Sequence, residues 1–114
     1  ENRLWVVSQN KQQLVRYTAD AQAIVLVDHR VFEFPHQIVI DDQGTAWISD
    51  GYKKCLWKFI EGQEPQIGLE SPLLQNPVGL FRFQDHIGIV DPHASSVFQI
   101  DTEGNLKEWF KIQL

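Results

Sequence analysis

The strongest constraint on this chain is that it repeats itself. Leu4-Trp5-Val6-Val7-Ser8, followed after five residues by Leu14-Val15-Arg16-Tyr17, returns about 42 residues later as Ala46-Trp47-Ile48-Ser49-Asp50, with Leu56-Trp57-Lys58-Phe59 at the same spacing. A third copy, one residue closer, reads Ile87-Gly88-Ile89-Val90-Asp91 and then Val97-Phe98-Gln99-Ile100. A second register has the same period, because Phe34-Pro35-His36-Gln37-Ile38-Val39-Ile40 is echoed by Asn76-Pro77-Val78-Gly79-Leu80-Phe81-Arg82. Two registers sharing one period are hard to obtain by chance, so the repeat decides the fold before any single segment does.

Each segment alternates or runs apolar over four to seven residues, is rich in Val, Ile, Trp and Phe, and is bounded by Asp, Gln, Gly, Asn or Pro. That is strand chemistry, and no stretch sustains a helical period. Asp42-Gln43-Gly44 and Glu103-Gly104-Asn105 supply the glycines that tight hairpins use to reach positive φ. The unit reads as four strands. One opens at Pro35 or Pro77, one ends at Ser8, Asp50 or Asp91, one ends at Tyr17, Phe59 or Ile100, and a less regular one lies outside. Four strands in about 42 residues is a propeller blade. The expected fold is therefore an all-β β-propeller part-ring of about three four-stranded blades in one segment, residues 1–114. Blades fall at 34–69 and 76–110, after an incomplete one at 3–27 that lacks its first strand.

Known propellers use about four to eight blades, and a part-ring exposes apolar blade faces, so such a chain either self-associates or is part of a longer one. Glu1 opens the sequence and there is no methionine, which agrees with processing or trimming upstream. The alternating stub Lys111-Ile112-Gln113-Leu114 is a candidate for the next first strand, lent to a neighbour in a homodimer that closes a six-bladed ring.

Composition narrows the partners. With 43% hydrophobic and 22% charged residues the chain is a folded domain and not a disordered one. Its longest aliphatic run, Ala23 to Val27, is far short of the roughly 20 residues of a membrane-spanning helix, so no membrane insertion is expected. Ten Lys and Arg against fifteen Asp and Glu leave a net charge of −5 with no basic stripe, which argues against nucleic acid. The single Cys55 excludes an internal disulfide and multi-cysteine metal sites, and reads as a buried apolar residue. An acidic chain with one thiol leans slightly towards a secreted or periplasmic setting.

The order Pro-His or Pro-Val, then Asp-Asp-Gln-Gly, then Trp-Ile-Ser-Asp-Gly-Tyr, then Leu-Trp-Lys-Phe resembles the repeats of NHL-type β-propellers over nearly the whole chain. Phe34-Pro35-His36 and Ser49-Asp50-Gly51-Tyr52 are also similar to blades of the peptidyl-hydroxyglycine lyases and virginiamycin B lyases. In the amidating lyases the resemblance implies zinc held by histidines after the blade-opening proline, and a tyrosine acting near the substrate. His36 matches the metal position and Tyr52 the tyrosine, but Val78 stands where the next blade would supply a second histidine. Asp91 is followed by Pro92 where those lyases place a basic residue. Catalytic zinc normally keeps about three protein ligands, so one His36 per chain does not make that site.

Plain structural roles weigh against several of these residues. His36 is expected to bond neighbouring loop backbone. Asp50 and Asp91 end equivalent strands, where an aspartate accepts N–H bonds from the following turn. Gly51-Tyr52 and Pro92-His93 occupy loops on one rim, which makes Tyr52, His93, His36 and Asp50 the candidates for ligand binding. His29 and His86 are expected in solvent, and Asp41-Asp42 is a poor acid-base pair because neighbours on a strand point to opposite faces. Trp5 and Trp47 are expected to pack blade on blade, while Trp57 and Trp109 are open to either packing or binding. No phosphate loop, nucleophile elbow or His-Glu-x-x-His run occurs. Two functions follow: a non-catalytic binding and assembly module that offers its rim loops to a protein, peptide or glycan, or part of a metal-dependent lyase completed by other blades.

Overall fold

The computed structural model describes residues 4–8, 13–101 and 103–113. It contains eleven strands among these residues and no helix: β1 Leu4–Ser8, β2 Gln13–Tyr17, β3 Ala23–Val27, β4 Pro35–Ile40, β5 Ala46–Asp50, β6 Cys55–Phe59, β7 Gln66–Glu70, β8 Gly79–Phe83, β9 His86–Asp91, β10 Ser96–Ile100 and β11 Leu106–Lys111. They form three antiparallel meanders, ordered β1-β2-β3, β4-β5-β6-β7 and β8-β9-β10-β11. The repeat is visible in the pairing itself. Leu4 faces Tyr17, Ala46 faces Phe59 and Ile87 faces Ile100, so the three copies share one register. Among the described residues, the first sheet has no counterpart of the innermost strand that β4 and β8 supply to the others, as the sequence predicts.

The turns follow from local chemistry. At the β4–β5 hairpin the Asp41 carboxylate accepts the N–H groups of Gln43 and Thr45 at 2.9 Å each, and Gly44 takes φ +82°. Asp101 repeats the device at the β10–β11 hairpin, accepting from Glu103 and Asn105, with Gly104 at φ +86°. Each side-chain oxygen replaces a backbone acceptor, and each glycine takes a left-handed conformation that a Cβ would strain.

The sheets bury their faces against one another in sequence order. Leu14 and Val27 from the first sheet, with Trp5 and Val7, meet Ala46, Ile48, Cys55, Trp57 and Phe59 of the second. Leu56 from the opposite face of the second sheet, with Val39, Trp47 and Leu69, meets Leu80, Ile89, Phe98 and Ile100 of the third. Each sheet therefore has a leading and a trailing face: the leading faces of the first and second sheets pack on the trailing faces of the second and third. Trp5 and Trp47 lie on leading faces, Trp5 edge-on to Phe59 across the sheet boundary at 6.4 Å, which is the packing role expected of them. In the third sheet the same position is Gly88, and the Phe81 ring from the paired strand lies over it. The aromatic has moved across the strand pair: Val39–Trp47 in the second sheet becomes Phe81–Gly88 in the third.

The second and third sheets are also tied by hydrogen bonds near their innermost strands. Ser49 Oγ donates to Val78 O at 2.9 Å, and Leu80 N–H donates to the Gln37 side-chain oxygen at 2.9 Å. These bonds fix the second and third sheets against each other at the end where Pro35 and Pro77 enter. Lys111 departs from its expected place: it closes β11 opposite Ser96, and Ile112 N–H donates to Ser95 O. Lys111 and Ile112 thus bond within their own sheet, and Leu114 lies outside the described residues.

Candidate functional site

The rim is built on two buried aspartates. Asp50 ends β5 with no exposed surface, and five donors converge on it: the N–H groups of Glu33, Phe34, Tyr52 and Lys53, and Trp57 Nε1–H at 2.8 Å. Burial raises the Asp50 pKa, but the Trp57 bond and the backbone bonds from Lys53, Glu33 and Phe34 together outweigh it and hold the carboxyl below its ordinary 3.8. Asp91 repeats the anchor with the N–H groups of Gln75, Asn76 and Ala94. Each aspartate pins the segment before its blade-opening proline to the turn after its own strand. The expectation of turn capping holds, and both Asp50 oxygens are engaged in it. Trp57 is likewise settled as a buried residue bonded to Asp50.

Between the two anchored turns lies an open groove of about 520 Å³ lined by Phe34, Gly51, Tyr52, Lys54, Gln75, Asn76 and His93. It brings Tyr52 and His93 together, which occupy the same repeat position in successive blades. Tyr52 is largely exposed. Asn76 Nδ2 lies 3.0 Å from His93 Nδ1, within hydrogen-bond distance. His36 lies beneath the groove. Its ring meets the Phe34 ring edge-on at 4.8 Å, and its Nε2 is buried with no hydrogen-bond partner among the described residues. The expected bond from His36 to loop backbone is thus not made at Nε2. Gly51 explains the crowding: a Cβ there would stand 2.8 Å from His36 Nε2 and collide with Asn76 Oδ1.

Phe34 and Asn76 were not singled out from the sequence, yet both line the groove. A signal existed, because each is the residue before a blade-opening proline and so stands at one repeat position. The other candidates lie elsewhere. His86 is half-buried, with Nδ1 3.3 Å from Ile100 O, and is not the solvated residue expected. His29 is exposed beside Glu64 at 3.0 Å. Asp42 pairs with Arg82 on the opposite rim. No group of three or more His, Cys, Asp or Glu among the described residues is placed to hold a metal ion.

No family model matches the chain, and no curated protein does. Solved structures do match. The selenomethionine-substituted virginiamycin B lyase from Staphylococcus aureus aligns with a TM-score of 0.78 at 17% identity, over 94% of this chain and 37% of that one. The chain folds as part of a β-propeller. A streptogramin B lyase aligns with a TM-score of 0.78 at 16% identity, covering 94% of this chain and 36% of its own. A catalytically inactive variant of the S. aureus virginiamycin B lyase, with quinupristin, gives 0.77 at 12% over 94% and 37%. The propeller described here spans a little over a third of the length of those enzymes, and at these identities the likeness concerns the fold alone.

Proposed function

We propose that this propeller segment is a non-catalytic binding module whose rim groove takes a peptide, protein or glycan partner. The groove itself carries the reading: two anchored turns present an aromatic wall, Phe34 and Tyr52, opposite the amide of Asn76 and the imidazole of His93. Aromatic faces pack on apolar or sugar surfaces, and the amide and imidazole fix the orientation of polar groups. Lys54 at the border adds a cation, which favours ligands bearing a carboxylate or a carbonyl-rich backbone. The test is enrichment from a random peptide display library and a glycan array, followed by Kd measurement for the best ligand with Tyr52→Ala, Asn76→Ala and His93→Ala. A loss of tenfold or more in each supports the groove, with Asp42→Ala on the far rim as an unaffected control. No enrichment, or ligands indifferent to all three changes, overturns it.

A second reading, part of a metal-dependent propeller lyase for a peptide or small molecule, draws support from the fold likeness and from the unpartnered His36 Nε2. The described residues do not themselves make a three-ligand zinc site, so His36 would be one ligand among others supplied from elsewhere. Zinc titration followed by calorimetry distinguishes the readings, since only the lyase reading expects uptake that His36→Ala removes.

A further inference from the structure

Each repeat position occurs up to three times in this chain, so a position covered in one blade and bare in another shows what is missing there. On the leading face, Val27, Leu69 and Phe110 occupy one position, paired with Leu14, Leu56 and Val97. Val27 is 3% exposed beneath the second blade and Leu69 is partly buried beneath the third, but Phe110 is 49% exposed. On the trailing face, Val6, Ile48 and Ile89 share a position. Ile48 and Ile89 have no exposed surface, whereas Val6 is 38% and its neighbour Leu4 62% exposed. Trp109 and Phe83, with ring centroids 4.9 Å apart, extend the bare apolar surface beside Phe110. The chain exposes 7057 Å², against roughly 6,400 Å² for a compact protein of 13.2 kDa. The excess is close to the roughly 800 Å² that each partner buries in a standard interface.

We propose that the leading face of the third blade, around Phe110 and Trp109, docks on the trailing face of the first blade, around Leu4 and Val6, of a second copy of this chain. The register is the one that both internal blade contacts already use, which is why a second copy is the occupant argued for: it carries the complementary face on the same repeat. The contact is heterologous, and two copies related by a twofold axis make it twice. The resulting six-blade ring lies within the range of known propellers. This inference does not rest on the rim groove.

The test is sedimentation equilibrium of the full chain from micromolar to hundreds of micromolar, with Val6→Lys and Phe110→Lys. Both positions are exposed, so the fold should persist by far-UV circular dichroism; Leu4→Lys serves if Val6→Lys does not fold. The expected result is a species of twice 13.2 kDa for the unaltered chain and monomers for each variant. An equimolar mixture of the two variants should regain a weaker heterodimer, through the one contact whose faces are both intact. A chain monomeric throughout the range overturns the proposal, and marks the bare faces as covered by further residues of a longer polypeptide. Undiminished dimers of Val6→Lys also overturn it, because they do not use the trailing face of the first blade.

Discussion

The cage around Asp50 gives the sharpest stability prediction. Asp50→Ala removes the acceptor for five donors at once: the N–H groups of Glu33, Phe34, Tyr52 and Lys53 and Trp57 Nε1–H. Each bond contributes about 1 kcal/mol net, and donors left buried and dry cost about 1–3 kcal/mol apiece. Tyr52 and Lys53 sit in an exposed turn and regain water, so the penalty falls mainly on Trp57 and on the two donors before Pro35. The expected loss is about 3–5 kcal/mol, a large fraction of the roughly 5–15 kcal/mol of a whole domain. Asp91 serves three residues and no tryptophan, because Phe98 stands where Trp57 does, so Asp91→Ala should lose less, about 2–3 kcal/mol. Urea unfolding, followed by tryptophan fluorescence and circular dichroism, measures both. Equal losses, or a loss below about 1 kcal/mol at Asp50, would show that donor count does not set the cost.

Other outcomes follow from the same geometry. Because the folded Asp50 pKa is depressed, its contribution is complete above the unfolded value near 3.8 and disappears as pH falls through the folded value. Acid titration of stability should show this loss below pH 3.8 in the unaltered chain, with the step absent in Asp50→Asn. Gly51→Ala should displace His36 and Asn76 and weaken ligand binding at the groove more than it lowers thermal stability, measured as Kd against Tm. Cys55 is buried, and burial followed by the charges of Asp50 and Glu70 pushes its thiol up to about 12, so a disulfide reagent at pH 8 should react only as fast as the chain unfolds. Gly104→Ala meets open space but keeps φ +86°, and should cost about 1–2 kcal/mol from backbone strain alone.

Much of the architecture is legible because a repeat supplies its own controls. The strand ends at Asp50, Asp91, Phe59 and Ile100, the missing first strand, and the packing of Trp5 and Trp47 all follow from aligning the copies. What escapes is compensation between strands. Replacing Trp47 by Gly88 reads as lost packing in one dimension, and only the cross-strand pairing shows Phe81 taking the space. Lys111 differs from its expected place for a related reason: an alternating stub looks like a new strand, yet β11 runs on far enough to include it. In the candidate groove, Tyr52 and His93 are legible as rim residues because rim loops are easy to locate from strand ends. Asn76 escapes because its role depends on His93, from the turn after the next strand of the same blade, and the burial of His36 escapes because it depends on Gly51, which follows the strand paired with its own.

The groove between the second and third blades is the centre of this account, and amide NMR tests it most directly. Chemical-shift changes on adding the best ligand from the peptide or glycan screen should concentrate at Phe34, Gly51, Tyr52, Lys54, Gln75, Asn76 and His93. Changes centred instead on the opposite rim, at Asp41 to Gly44, Arg82 and Gly104, would place binding away from the anchored turns and contradict it.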